Sequence, residues 1–147
     1  MNRRFKFSTV IVVVMLVIYG LSYGFSTIEG SSGYDVVCGD KGIERISHRT
    51  GSVKVLFESG DELHFVRKGR TVYVAEREKL FAVDINGRNR RLVFEGDGRI
   101  VPSDGNEMTV VGKYLHFAQS VDGRLIHGRL NLRKHEFEQT GNGKPSP

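Results

Sequence analysis

Ser59, Asp61 and His64 bring a hydroxyl, a carboxylate and an imidazole into the single stretch "SGDELH". Hydroxyl-nucleophile chemistry needs an imidazole within hydrogen-bond reach of the hydroxyl and a carboxylate to orient the imidazole. Neighbours along one extended segment project to alternate faces, so closeness in sequence does not build that geometry. The five histidines, His48, His64, His116, His127 and His135, are scattered. None stands in an H-E-x-x-H pattern and no cysteine pair accompanies them, so the spacing supports no zinc site. "DINGRN" (Asp84 to Asn89) opens like a calcium loop but lacks the later acidic ligands and the terminal glutamate, and it reads as a turn. Neither a G-x-S-x-G elbow nor a phosphate-cradling glycine loop occurs. The expectation is therefore no catalytic residue, no metal ligand and no cofactor, with the ligand-binding residues left unassigned.

Two further features bear on chemistry. "NGRNRR" (Asn86 to Arg91) is the one dense basic run, and its plainest reading is a solvated turn. Cys38 is the only cysteine, so no disulfide can form within the chain. It closes the apolar run "YDVVC", which favours burial over pairing with another chain.

The elements that must carry these residues announce themselves as a repeat. "IERISHRTGSVKVLF" (Ile43 to Phe57) aligns without a gap on "LFAVDINGRNRRLVF" (Leu80 to Phe94). Ile43 matches Leu80, Ile46 matches Val83 and Phe57 matches Phe94, with turn residues central in both. "KGRTVYVAEREKLF" (Lys68 to Phe81) likewise sits over "VGKYLHFAQSVDGRLI" (Val111 to Ile126), which sets Ala75 on Ala118, His116 on Tyr73 and Leu125 on Leu80. Apolar residues two apart share one face of a strand, and Gly, Asn, Asp and Ser between the runs join them as hairpins. The alternation predicts an all-β chain of three antiparallel units. The first holds strands at 34–38, 43–47 and 53–57. The second holds 62–66, 72–76, 80–85 and 91–94. The third holds 107–111, 114–119, 125–130 and 134–138.

Units of about four strands recurring every ~40 residues are the pattern of β-propeller blades. "YVAEREKLFAVDINGRNRRLVF" (Tyr73 to Phe94) resembles a blade of the YWTD and TolB-type six-bladed propellers. Asp84 and Gly87 match the family's D-x-x-G turn, and Arg90 and Arg91 match the entry to its outer strand. The signature itself differs, because Tyr73-Val74-Ala75-Glu76 and His116-Phe117-Ala118-Gln119 stand where Tyr-Trp-Thr-Asp would. The resemblance covers residues 34 to 138 and implies a partial propeller, with an open antiparallel meander or sandwich as the alternative. Such rings close with about four to eight blades, so three leave strand edges open. A homodimer through those edges is one expected consequence, the first unit lacking its innermost strand.

The first 25 residues stand apart. Arg3, Arg4 and Lys6 head the charge-free apolar run Val10 to Leu21. Counted from Phe7 to Phe25, the stretch approaches the ~20 residues a spanning helix needs, with Tyr19 and Tyr23 at the interface. This reads as a signal-anchor, with cleavage near Ser22 or Gly24 and secretion as the alternative. The positive-inside rule keeps the N-terminus in the cytoplasm and sends the remainder across the membrane. The formal charge is +5, of which the basic head supplies three, leaving +2 outside it. That balance gives no case for nucleic acid as a partner.

The expected organisation is a signal-anchor over 1–25, a linker over 26–33, a β-repeat domain over 34–138 and a disordered tail over 139–147. The expected function is a membrane-tethered, extracytoplasmic, non-enzymatic module that binds a protein or an envelope component. Two alternatives stand beside it: an exported hydrolase whose site is completed by oligomerisation, and a degenerate fragment of a longer propeller protein.

Overall fold

The computed structural model describes residues 33–103, 105 and 107–142, so the expected anchor and most of the linker lie outside the described residues. Three antiparallel sheets follow one another along the chain. Sheet 1 holds β1 (Tyr34–Gly39), β2 (Gly42–Ser47) and β3 (Val53–Glu58), in that order. Sheet 2 holds β4 (Leu63–Lys68), β5 (Thr71–Glu76), β6 (Lys79–Asp84) and β7 (Arg91–Glu95). Sheet 3 holds β8 (Arg99–Val101), β9 (Thr109–Val111), β10 (Tyr114–Val121), β11 (Arg124–Asn131) and β12 (Glu136–Asn142). The described residues are all-β, and the three units fall where the alternation placed them.

Two details depart from the sequence reading. The inner strand of sheet 3 is split, with β8 pairing to Ala118–Ser120 and β9 to Tyr114–His116, both along the same edge of β10. Strand β12 continues past Glu138 to Asn142, so the first part of the expected tail belongs to the sheet.

The repeat is written into the pairing register. In sheet 1 the β2–β3 register shifts between Ile43 and Glu44, just after Ile43 pairs with Phe57. In sheet 2 the β6–β7 register shifts between Leu80 and Phe81, just after Leu80 pairs with Phe94. In sheet 3 the shift falls between His127 and Gly128. Because Ala75 pairs with Leu80 and Ala118 with His127, the counterpart of Leu80 in the third unit is His127, not Leu125. The β10–β11 hairpin has grown by two residues on each arm, which leaves Leu125 opposite Ser120 near the turn and 44% exposed. Antiparallel pairing forces this outcome, since an insertion on one arm needs a partner on the other. The turn itself, Asp122-Gly123, has positive φ at both residues, as a tight two-residue hairpin requires.

The sheets stack through two apolar clusters. Between sheets 1 and 2 lie Val36, Ile43, Leu56 and Phe57 against Leu63, Val72, Val74, Val83 and Ile85. Between sheets 2 and 3 lie Tyr73, Ala75, Leu80 and Val93 against Ile100, Leu115, Phe117 and Leu130. Sheet 2 is thus covered on both faces, which explains the unbroken apolar run at Val72–Ala75. Aromatic contacts mark equivalent places. Phe57 meets Phe81 at 5.2 Å between ring centroids, with the Arg90 guanidinium 3.8 Å above the Phe57 ring. Phe94 meets Phe117 at 5.6 Å and Phe137 at 5.4 Å. By register Phe137 stands where Arg90 does, and Gly128 stands where Phe81 does. Gly128 is required there, because a Cβ would collide with the Phe137 ring.

The outward faces of the stack carry polar residues at several positions that are apolar further in. On sheet 3, His116, His127 and Arg129 hold the positions of Tyr73, Leu80 and Ala82. On sheet 1, Asp35, Glu44 and His48 hold the positions of Val72, Phe81 and Ile85. Solenoid-type stacks carry polar outer faces on their terminal units for solubility.

Candidate functional site

Ser59, Asp61 and His64 do not form a relay. The Ser59 hydroxyl donates to Glu76 Oε1 at 2.5 Å and accepts the Asp61 N–H at 3.0 Å. The Asp61 carboxylate receives a two-pronged contact from Arg77, Nη2 to Oδ1 and Nε to Oδ2, both at 3.0 Å. His64 Nε2 lies 3.8 Å from Glu62 Oε1, and the other oxygen of Glu62 meets Arg99 Nη2 at 2.9 Å. Burial pushes the His64 imidazole below its ordinary value; Glu62 opposes that shift and Arg99 adds to it. Each triad-like group is committed to a different partner, and the cluster braces the β3–β4 connection against sheets 2 and 3.

The other candidates sort as follows. The Asp84 carboxylate accepts the Asn86 N–H at 2.8 Å, and its carbonyl accepts the Gly87 N–H at 2.7 Å. Asn86 Oδ1 accepts from Arg45 Nη1 at 3.1 Å, so the calcium-like run is a turn whose side chains tie sheet 2 to sheet 1. His48 pairs with Asp35 at 2.9 Å on the outer face of sheet 1. Cys38 is partly buried, and burial, with Glu44 second, pushes its thiol up. Among the described residues no group of three or more His, Cys, Asp or Glu side chains could hold a metal ion. Among the same residues no helix is long and apolar enough to cross a membrane.

What sequence reasoning missed is the sorting of charge between the two ends of the sheets. In an antiparallel sheet, alternate turns fall at the same end. Five turns gather at the first end, those after β2, β4, β6, β9 and β11. Each bears an exposed cation: Arg49, Arg70, Arg88, Lys113 and Arg133. The ends are aligned across sheets, since Arg45 reaches the Ile85 carbonyl at 3.1 Å and Lys68 Nζ donates to the Gly112 carbonyl. The opposite end collects the turns after β1, β3, β5, β7 and β10, with Asp40, Asp61, Glu78, Asp97 and Asp122. Three cations at that end are drawn into pairs, Arg77 with Asp61, Arg99 with Glu62 and Lys79 with Glu95 at 3.7 Å, while Lys41 and Arg124 are exposed beside Asp40 and Asp122. A modest overall charge therefore hides a basic end and an acidic end, one strand length, or ~20 Å, apart. Reading every second turn for its charge would have found it.

A comparison of the chain with models of known protein families finds no match, and a comparison with curated proteins finds none either.

Proposed function

We propose that this chain is a binding module tethered to a membrane by residues 1–25, with its three-sheet domain outside the cytoplasm and no catalysis of its own. The three sheets stand as blades of a partial propeller in this reading, and their turns supply the binding surface. The observation that carries it is where the chain enters the domain. Gly33 O accepts from His48 N at 2.9 Å, so the entry to β1 sits beside the β2–β3 turn at the basic end. A tether at that point presents the acidic end, with Asp40, Asp97 and Asp122, away from the membrane and toward a partner protein or envelope component. Surface turns on a rigid sheet scaffold offer contact area without requiring chemistry.

A second copy belongs to the same proposal, paired along β1, which forms one edge of sheet 1. Val37→Lys should then halve the mass of the extracted species, since an edge charge blocks strand pairing. An unchanged mass removes the second copy. The non-enzymatic reading is tested by offering the purified full chain a panel of simple esters and peptides. Background rates are expected throughout. Turnover that scales with protein concentration and is lost in Ser59→Ala would overturn it in favour of an oligomer-completed hydrolase.

A further inference from the structure

The basic end of the stack has a specific use if the chain is anchored where its sequence indicates. We propose that this end is an electrostatic platform that seats the domain on the anionic headgroups of the membrane holding its own anchor. The inference rests on the tethered reading above and adds the orientation and the lipid class.

Three observations carry it. The chain enters β1 at the basic end, so the domain hangs from the membrane by the same end that bears the cations. Residues 26–33 lie between the apolar segment and Tyr34. Such a stretch spans at most about 30 Å, which keeps this end near the surface. The cations are spread over one turn of sheet 1, two of sheet 2 and two of sheet 3, a broad array rather than a pocket. An array of separate exposed cations suits a surface of many phosphates, whereas one compact anion would need convergent donors. Among the described residues three acids at this end have partners there, Asp84 4.0 Å from Arg70, Glu136 4.0 Å from Lys134, and Asp35 beside His48. They leave Arg49, Arg88, Lys113 and Arg133 facing outward. Attraction to an anionic surface fades beyond a Debye length, about 8 Å at physiological salt. The acidic end, a strand length farther out, is beyond it and is repelled if the domain turns over.

The test reconstitutes the full chain into vesicles of neutral phosphatidylcholine or of the same lipid with roughly one-third phosphatidylglycerol, whose anionic headgroups give a negative surface potential. A fluorophore is placed in a Cys38→Ser background at Asn89→Cys, in the β6–β7 turn, or at Lys41→Cys, in the β1–β2 turn. Energy transfer to a headgroup-labelled acceptor lipid reports the height of each end. Transfer at Asn89 is expected to exceed that at Lys41 severalfold in anionic vesicles. The excess should fall severalfold, toward the smaller bias the tether alone sets, in high salt, in neutral vesicles, and in a variant with Arg49, Arg70, Arg88, Lys113 and Arg133 all changed to Gln. Equal transfer at both ends, or an excess indifferent to lipid charge and salt, overturns the platform. Should the five-fold variant misfold by circular dichroism, the salt and lipid series on the otherwise unaltered chain decides the matter. Failure of the anchor reads differently: the chain would then float with anionic vesicles only at low salt, which keeps the platform and removes the span.

Discussion

Removing the Phe57 ring should cost far more than its neighbours on the sheet surface. Phe57 is 1% exposed and packs on Phe81 and under Arg90 at the junction of sheets 1 and 2. A buried Phe→Ala change removes the transfer free energy of the ring and leaves a cavity, about 3–5 kcal/mol together. Against a total of ~5–15 kcal/mol this is a large share. At about 4 °C per kcal/mol for a domain of this size, Phe57→Ala should lower the melting temperature by roughly 12–20 °C. Phe94, its counterpart one unit on, is only half-buried, so Phe94→Ala should cost about 2 kcal/mol. Leu92, 48% exposed and on the opposite side of the β7 bulge, serves as the control, with an expected cost below ~1 kcal/mol. Thermal unfolding of the solubilised chain, followed by far-ultraviolet circular dichroism, gives the ranking. A Phe57→Ala cost below ~1 kcal/mol, or a Leu92→Ala cost above it, would refute the register, because a slip of one residue exchanges the two faces.

Three further outcomes are expected. Gly128→Val should destabilise by about 1–3 kcal/mol and restore partly with Phe137→Leu, measured as a double-mutant cycle, because the added side chain meets the Phe137 ring. The folded His64 imidazole titrates below the unfolded value of 6.5, so the unfolded chain takes up its proton first as pH falls. The stability it confers is therefore complete above about 6.5 and lost as pH drops below that value; His64→Gln should flatten denaturation midpoints measured across this range. The Cys38 thiol, pushed up by burial, should react with iodoacetamide at neutral pH several times more slowly in the native chain than in urea.

Much of this fold is legible in the sequence because strand alternation and hairpin turns are local signals. The apolar pairs Val72 and Val74, Leu115 and Phe117, and the "NG" and "DG" turns place most strands within a residue or two of where they stand. The alignment of Leu125 on Leu80 fails because a gap in an alignment counts an insertion once, while a hairpin takes it up on both arms. Strand β8 escaped notice for a different reason. Its three residues end at Pro102, too short a run to show alternation, and its pairing to β10 is non-local. The triad-like Ser59, Asp61 and His64 looked suggestive only because sequence shows neighbours and not partners. Glu76, Arg77 and Arg99, which engage Ser59, Asp61 and Glu62, come from later strands and turns. The basic and acidic ends follow from topology applied to every second turn, and "NGRNRR" read by itself gives no hint that Arg49, Lys113 and Arg133 gather at the same end.

The most direct measurement is the side of the membrane on which the three-sheet domain lies. A reporter active only outside the cytoplasm, fused after Pro147 in a bacterial host, is expected to be active, with the chain retained in the membrane fraction after carbonate washing. Moving Arg3, Arg4 and Lys6 to follow Phe25 should reduce or invert that activity, since the basic flank sets the orientation. A fusion active only in the cytoplasm, or a chain released by the wash, would contradict a tethered extracytoplasmic module.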